Sequence, residues 1–249
     1  DPNLSAFSAG RDSTGGLLGP SSQHLLGVDP LLRDSFSRLA YGARVSLLVA
    51  FFATTISIVV GAAVGLTSGY AEGTRAASVD TFLMRMVDVG LSFPYLLLVM
   101  AIGAAVGDTT IVTILMVLGF TSWFGTARII RAKTIQVRHL DFIMASRALG
   151  QSTASILLRH ILPNVAGPLI VIASASVAQM IIAESVLSYL QVGLPPPTAT
   201  WGRMLLEGQR FYTVAPRLVL APGILIFLAV LGFNLVGEGL RDALDPHED

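Results

Sequence analysis

Residues 45–71 read VSLLVAFFATTISIVVGAAVGLTSGYA, a run without a single charged side chain. A helix rises about 1.5 Å per residue, and a hydrocarbon core about 30 Å thick needs about 20 apolar residues. One helix over this run is therefore long enough to cross a bilayer. Working outward, residues 89–107, 109–127, 161–183, 185–202 and 218–237 are also free of charge. The pattern predicts spans at about 43–69, 82–107, 109–130, 168–190 and 218–237, the fourth interrupted by Glu184. Only 13% of the residues are charged and 53% are hydrophobic, against about one quarter charged in ordinary soluble domains. Five such windows in 249 residues make buried helices of a soluble globule a poor alternative. The expected fold class is an all-α, multi-pass membrane bundle.

Net charge is zero, which argues against a nucleic-acid partner, and the absence of Cys excludes disulfides and thiolate metal sites. The chain opens at Asp1 with neither an initiator Met nor a signal peptide, which leaves room for an earlier segment. Residues 1–40 are rich in Gly, Ser, Asp and Pro and read as loop and turn. Asp34 or Ser35 is a candidate cap for a short helix along the membrane surface.

Topology follows from the basic residues. Arg128, Arg131, Lys133, Arg138, Arg147 and Arg159, six of the sixteen, lie between the third and fourth spans, against one acid, Asp141. The positive-inside rule places this loop in the cytoplasm. Alternation then puts 1–40, the Gly107–Asp108 turn and 191–216 outside, and the 70–80 turn and the tail, 240–249, inside.

Gly61, Gly65, Gly69 and Gly73 repeat every four residues, and Gly103 and Gly107 repeat the spacing. Small residues so placed allow close helix approach in lipid. Pro94 and Pro222 are expected to kink their helices. Arg85 and Asp88, three apart, are expected to pair on one helix face. An interfacial ion pair is favoured for them over a substrate contact.

The basic loop carries ASRALGQSTASILLRHILPN at 145–164. Asp141 is placed as the cap of a helix over 142–149, with Phe142, Ala145 and Leu149 on one face. Gly150 is the expected left-handed residue that ends it. Ser152 caps a second helix in which Leu158, Ile161 and Leu162 share an apolar side, and Pro163 is expected to end or bend it at Leu162. The residues alone leave two readings open: an amphipathic hairpin resting on lipid headgroups, or one docked on another protein.

The hairpin resembles the EAA loop of ABC importer permeases, whose pattern is Glu-Ala-Ala, three residues, Gly, nine residues, Ile-x-Leu-Pro. Ala145, Gly150, Leu162 and Pro163 match; Met144 replaces the Glu, Ser146 the second Ala and His160 the Ile. His-Ile-Leu-Pro-Asn at 160–164 is similar to the variant in the dipeptide, oligopeptide and nickel permease family. The resemblance covers nearly the whole chain, through Trp201-Gly202 and Phe233-Asn234-Leu235 to Asp245-Pro246, and is closest to the C-type subunit. Glu238 stands where an Asp is usual, and Tyr189-Leu190-Gln191 departs from the family's Ser-Phe-Leu-Gly.

The resemblance implies a type I ABC importer permease in a bacterial cell membrane. It implies five of the family's six spans, the first being absent from this chain. The permease body would be 41–239, with a coupling loop at 141–164 and an extracytoplasmic loop at 191–216. Asp141, Phe142, Met144, Ala145, Ser146, Arg147, Ala148, Leu149, Gly150, Leu162 and Pro163 would then contact an ATPase. The implied partners are a homologous B-type permease in a heterodimer, two cytoplasmic ABC ATPases carrying ATP and Mg²⁺, and an extracytoplasmic solute-binding protein. The implied cargo is a di- or oligopeptide, with nickel or another small solute as the alternative. A secondary transporter or channel without an ATPase is the rival from another class.

The chain itself holds no catalytic site. A phosphate-binding P-loop needs Gly-Lys-Ser/Thr, and the single lysine, Lys133, follows Ala132. His24, His139, His160 and His247 are scattered, and no metal site is expected. Glu184 is costly near mid-span. With Ser188 one turn on, it either makes a buried helix-to-helix hydrogen bond or lines the pathway, and Asn234 is a further candidate for either role.

Overall fold

The computed structural model describes residues 2–5, 10–11, 15–107 and 109–244. Asp108, His247 and the Asp245-Pro246 end of the family motif lie outside the described residues. Helices dominate: α1 (Ser35–Ala71), α2 (Ala77–Ser92), α3 (Tyr95–Val106), α4 (Ile111–Val137), α5 (Asp141–Ala148), α6 (Thr153–Ile156), α7 (Leu162–Tyr189), α8 (Trp201–Gly208) and α9 (Arg217–Leu244). Among the described residues the only extended pairings are the isolated bridges Ser5–Arg33, Arg11–Leu17 and Val28–Asp34.

Among the described residues four helical stretches are long and apolar enough to cross a membrane: α1, α4, Thr153–Tyr189 and α9. The span expected at 82–107 is instead a bent pair, α2 and α3 meeting at 94°. Pro94 forces the residue before it out of helical geometry, and Phe93 is extended at φ −92°, ψ 138°. Pro222, by contrast, lies inside a continuous α9. Among the described residues no short surface helix precedes the first span. Asp34 caps α1 itself, its Oδ2 accepting from the Ser37 N–H at 2.7 Å.

The chain divides into two compact units. One comprises 1–51, 100–115 and 177–232; the other comprises 52–99, 116–176 and 233–249. In the second, α1 and α4 close on a glycine seam. A Cβ on Gly61 would come within 2.7 Å of Thr126 Cβ, one on Gly65 within 2.7 Å of Ala127 O, and one on Gly69 within 2.7 Å of Arg131 O. Only a bare Cα fits there. Gly73 and Gly107 do not continue their stripes: both lie beyond a helix end with positive φ, +64° and +80°. A C-terminal stop and a packing glycine have the same four-residue signature.

Three arginines of the basic loop are tied down in this unit. Arg131 clamps Asp80 with both prongs, Nε–Oδ1 2.6 Å and Nη2–Oδ2 2.7 Å, and Ser68 donates to the same carboxylate. Arg138 donates to the carbonyls of Gly69 and Tyr70 at 3.1 Å, satisfying the last turn of α1. It also pairs with Glu72 at 2.6 Å. Asp88 pairs with Arg128 at 2.5 Å, not with Arg85, which is exposed. The i,i+3 option on α2 lost to a guanidinium on another helix.

The first unit is held by a buried charge network that no helical period announces. Asp29 Oδ2 lies 2.7 Å from Arg33 Nε and 3.3 Å from Arg38 Nε. Glu207 Oε2 takes Arg33 Nη2 at 2.8 Å and Arg38 Nη2 at 3.0 Å. Each charge has a partner, which is the condition for burying it. The network fastens the N-terminal segment to α8.

Candidate coupling site

The hairpin forms between α5 and the start of the next helical stretch. Leu140, extended at ψ 146°, is the N-cap residue, so Asp141 stands in the first turn and does not cap. Its charge still suits the helix N-terminus. At the other end Gly150 has φ +77°. Gly150 N–H donates to Arg147 O at 3.0 Å and Gln151 N–H to Ser146 O at 3.2 Å, the paired bonds of a Schellman stop. Ser152 then caps α6, its Oγ accepting from the Ser155 N–H at 3.3 Å.

Beyond α6 the expectation fails in an instructive way. Pro163 neither ends the helix nor leaves Leu162 non-helical: Leu162 is at φ −54°, ψ −45°. Instead Leu157–Ile161 form a π turn, with Leu162 N–H donating to Leu157 O. The extra residue in that turn rephases the helix. The buried positions are Ile156, Ile161, Val165 and Leu169, five then four then four apart; of the three expected on the apolar side, Ile161 is fully buried and Leu162 packs against the same cluster, but Leu158 does not. Leu158 is exposed and Leu162 half-buried. Asn164 Nδ2 donates to the His160 carbonyl at 2.6 Å, a side-chain bond across the turn where Pro163 supplies no N–H.

Only Ile143 and Ser146 of α5 are buried. Ile143 joins Ile130, Ile156, Ile161 and Val165 in one apolar cluster, while Ser146 Oγ donates back to Phe142 O at 2.8 Å. The rest of the helix faces away. Phe142 is 43% exposed, Met144 50% and Leu149 82%. Asp141, Ala145, Arg147, Ala148, Gly150 and Pro163 are exposed as well. The Arg147 guanidinium lies 5.2 Å over the Tyr70 ring, and Phe142 meets His160 edge-on at 6.4 Å. α5 with its C-cap residue thus buries two side chains and exposes three large apolar ones.

The other candidates lie apart from α5. Glu184 is completely buried. Its Oε2 accepts from Ser46 at 2.8 Å and its Oε1 from Ser188 at 2.7 Å. Ser46 Oγ also accepts from the Trp201 N–H at 3.3 Å, and the Trp201 indole donates to Leu39 O at 3.3 Å. Gly202 explains its place beside that Trp: a Cβ there would overlap the Ser185 carbonyl. Asn234 and Arg85 are exposed on α9 and α2. The hydroxyl of Ser46, 138 residues before Glu184, was not legible from the sequence.

The described residues form a multi-pass helical bundle with one short helix, α5, exposed on its basic loop. The chain belongs to the family of binding-protein-dependent transport system inner membrane components, whose model matches residues 57–248. It is a permease subunit of an ABC importer. The dipeptide transport system permease protein DppC of Alkalihalophilus pseudofirmus is 40% identical over 230 residues, 92% of this chain and 74% of that one. The glutathione transport system permease protein GsiD of Pectobacterium atrosepticum is 40% identical over 228 residues, again 92% and 74%. Among solved structures, the inward-facing MetNI methionine ABC transporter superposes with TM-score 0.70 at 16% identity, over 84% of this chain and 97% of that one. An amino acid ABC transporter matches with TM-score 0.61 at 17% identity. These two likenesses concern the fold.

Proposed function

We propose that this permease forms half of a pathway for small peptides and that α5 is the element through which an ATPase moves it. The exposed apolar surface that Phe142, Met144 and the C-cap Leu149 give to α5 carries the coupling reading. Burying it on a partner is favourable by roughly 25 cal/mol per Å² of apolar surface. The Schellman stop at Gly150 fixes the angle at which that face is presented.

ATP and Mg²⁺ belong to two partner ATPases, and a homologous permease completes the pathway. ATP binding draws the two docking helices together and opens the cavity outward. A solute-binding protein delivers the peptide, and hydrolysis restores the inward state. Such a cycle works only because each partner binds the two states with different affinity. The peptide assignment rests on the dipeptide and glutathione permeases among the relatives.

Uptake of a labelled dipeptide by cells carrying the whole operon tests the cargo. Competition by unlabelled di- and tripeptides is expected; competition by nickel alone would overturn it. The sidedness is testable separately, because the chain has no Cys. Ser152→Cys should resist an impermeant thiol reagent applied to intact cells, and Thr198→Cys should react.

A further inference from the structure

A cavity of about 770 Å³ opens beside the α1–α2 turn. Tyr70 and Thr67 of α1, Arg75 of the turn, Val79 of α2, Arg147 of α5 and Leu157 of the π turn are among its walls. The lining is mostly apolar, and no acid contributes to it. Two arginines do. Neither guanidinium is ion-paired among the described residues, although three other arginines of the same unit have carboxylate partners. Arg147 is held in place by the Tyr70 ring, and Arg75 is exposed at the lip. Both lie at the end of a membrane span, α1.

One wall continues into a stripe. Val79, Phe82, Met86 and Val89 follow one another at spacings of three, four and three, and all are exposed. That spacing keeps them on one face of α2. Ten residues of helix extend about 15 Å, half the thickness of a hydrocarbon core. A cationic head end thus leads into an apolar groove the length of one acyl chain. A basic pocket between helices on the cytoplasmic side of a span suits an anionic lipid headgroup.

We propose that this cavity binds an anionic glycerophospholipid, with its phosphate between Arg75 and Arg147 and one acyl chain along the Val79–Val89 face. The site needs the membrane location of the chain and not the coupling role of α5. Bound there, the lipid bridges the end of α1 to the docking hairpin and neutralises Arg147 in a loop already crowded with positive charge.

Native mass spectrometry of the assembled transporter, released from detergent with phosphatidylglycerol or phosphatidylcholine, tests it. Phosphatidylglycerol is expected to stay bound at one copy per chain, and phosphatidylcholine to be lost. Each arginine near a membrane surface contributes about fivefold to such binding. Arg75→Gln should therefore weaken retention about fivefold and Arg75→Gln with Arg147→Gln about 25-fold, while Arg75→Lys should keep most of it. Inorganic phosphate at the same concentration should not displace the lipid, because it cannot use the groove. Equal retention of the two lipids, unchanged retention in the double variant, or displacement by inorganic phosphate would each overturn the site. So would retention by the permease pair alone with loss from the assembled transporter, which would make the ATPases the occupant.

Discussion

Glu184 and Leu149 each sit where their own chemistry is least at home. The carboxylate is wholly buried in a membrane span and the leucine is 82% exposed on a polar loop. The difference is in what surrounds them. Glu184 has found its partners inside the chain, in hydroxyls of Ser46 and Ser188. Leu149 has none, and neither does most of α5. A polar group buried without partners costs about 1–3 kcal/mol, so the fold must satisfy Glu184 itself. An exposed leucine costs the isolated fold nothing comparable, so its complement can lie on another molecule. One region is finished within the chain; the other, on the coupling proposal, is finished by assembly.

The largest expected effect breaks the first half of that contrast. Glu184→Ala strands two hydroxyls and should lower the stability of the detergent-solubilised complex by about 3 kcal/mol, read by thermal unfolding. Glu184→Gln keeps an accepting oxygen and should cost clearly less. Equal losses would mean that the charge itself is what the site holds.

Gly150→Val acts on the second half. Nothing stands within 4 Å of a Cβ there, but φ is +77°. The strain should cost about 1–2 kcal/mol and tilt α5. The variant is expected to reach the membrane while stimulation of the ATPase is lost. Full stimulation would show that the angle set by the glycine does not matter.

Asp34→Ala should cost about 1 kcal/mol by removing the cap of α1. Partial burial raises the Asp34 carboxyl, but hydrogen bonds from Ser37 and His24 outweigh that and hold it below its ordinary value of 3.8. A lowered folded-state value means the contribution is complete above 3.8 and disappears as pH falls through that lower value. The difference between variant and parent should therefore shrink in acid, and a difference that grew would contradict the geometry.

Leu149→Asp sharpens the contrast at its quietest end. An exposed substitution should change stability by less than about 0.5 kcal/mol. ATPase stimulation should nevertheless fall, since a charge would enter an apolar interface. A variant with normal stimulation would remove Leu149 from the docking face.

Gly150 was legible because a left-handed stop needs glycine at one known place. Gln191 shows the reverse. It stands where the resembled family has Gly, and the backbone there keeps φ +65° in spite of the side chain. Asp141 misled because an acid just before a helix and an acid in its first turn look alike in one dimension. Leu158 misled because a 3.6-residue period assumes an unbroken helix, and the π turn adds a residue.

The sequence by itself determined that the chain crosses a membrane, where its basic loop lies along it, and where α5 stops. Those features depend on runs of neighbouring residues and on the backbone limits of single glycines. Tertiary structure decided that Asp88 takes Arg128, that Asp80 takes Arg131 and that Glu184 takes Ser46. It also carried the helix through Pro163, whereas the break at Phe93 is the kink that Pro94 led one to expect. A buried charge chooses among partners brought close by packing, and distance along the chain carries no information about which helix will supply them.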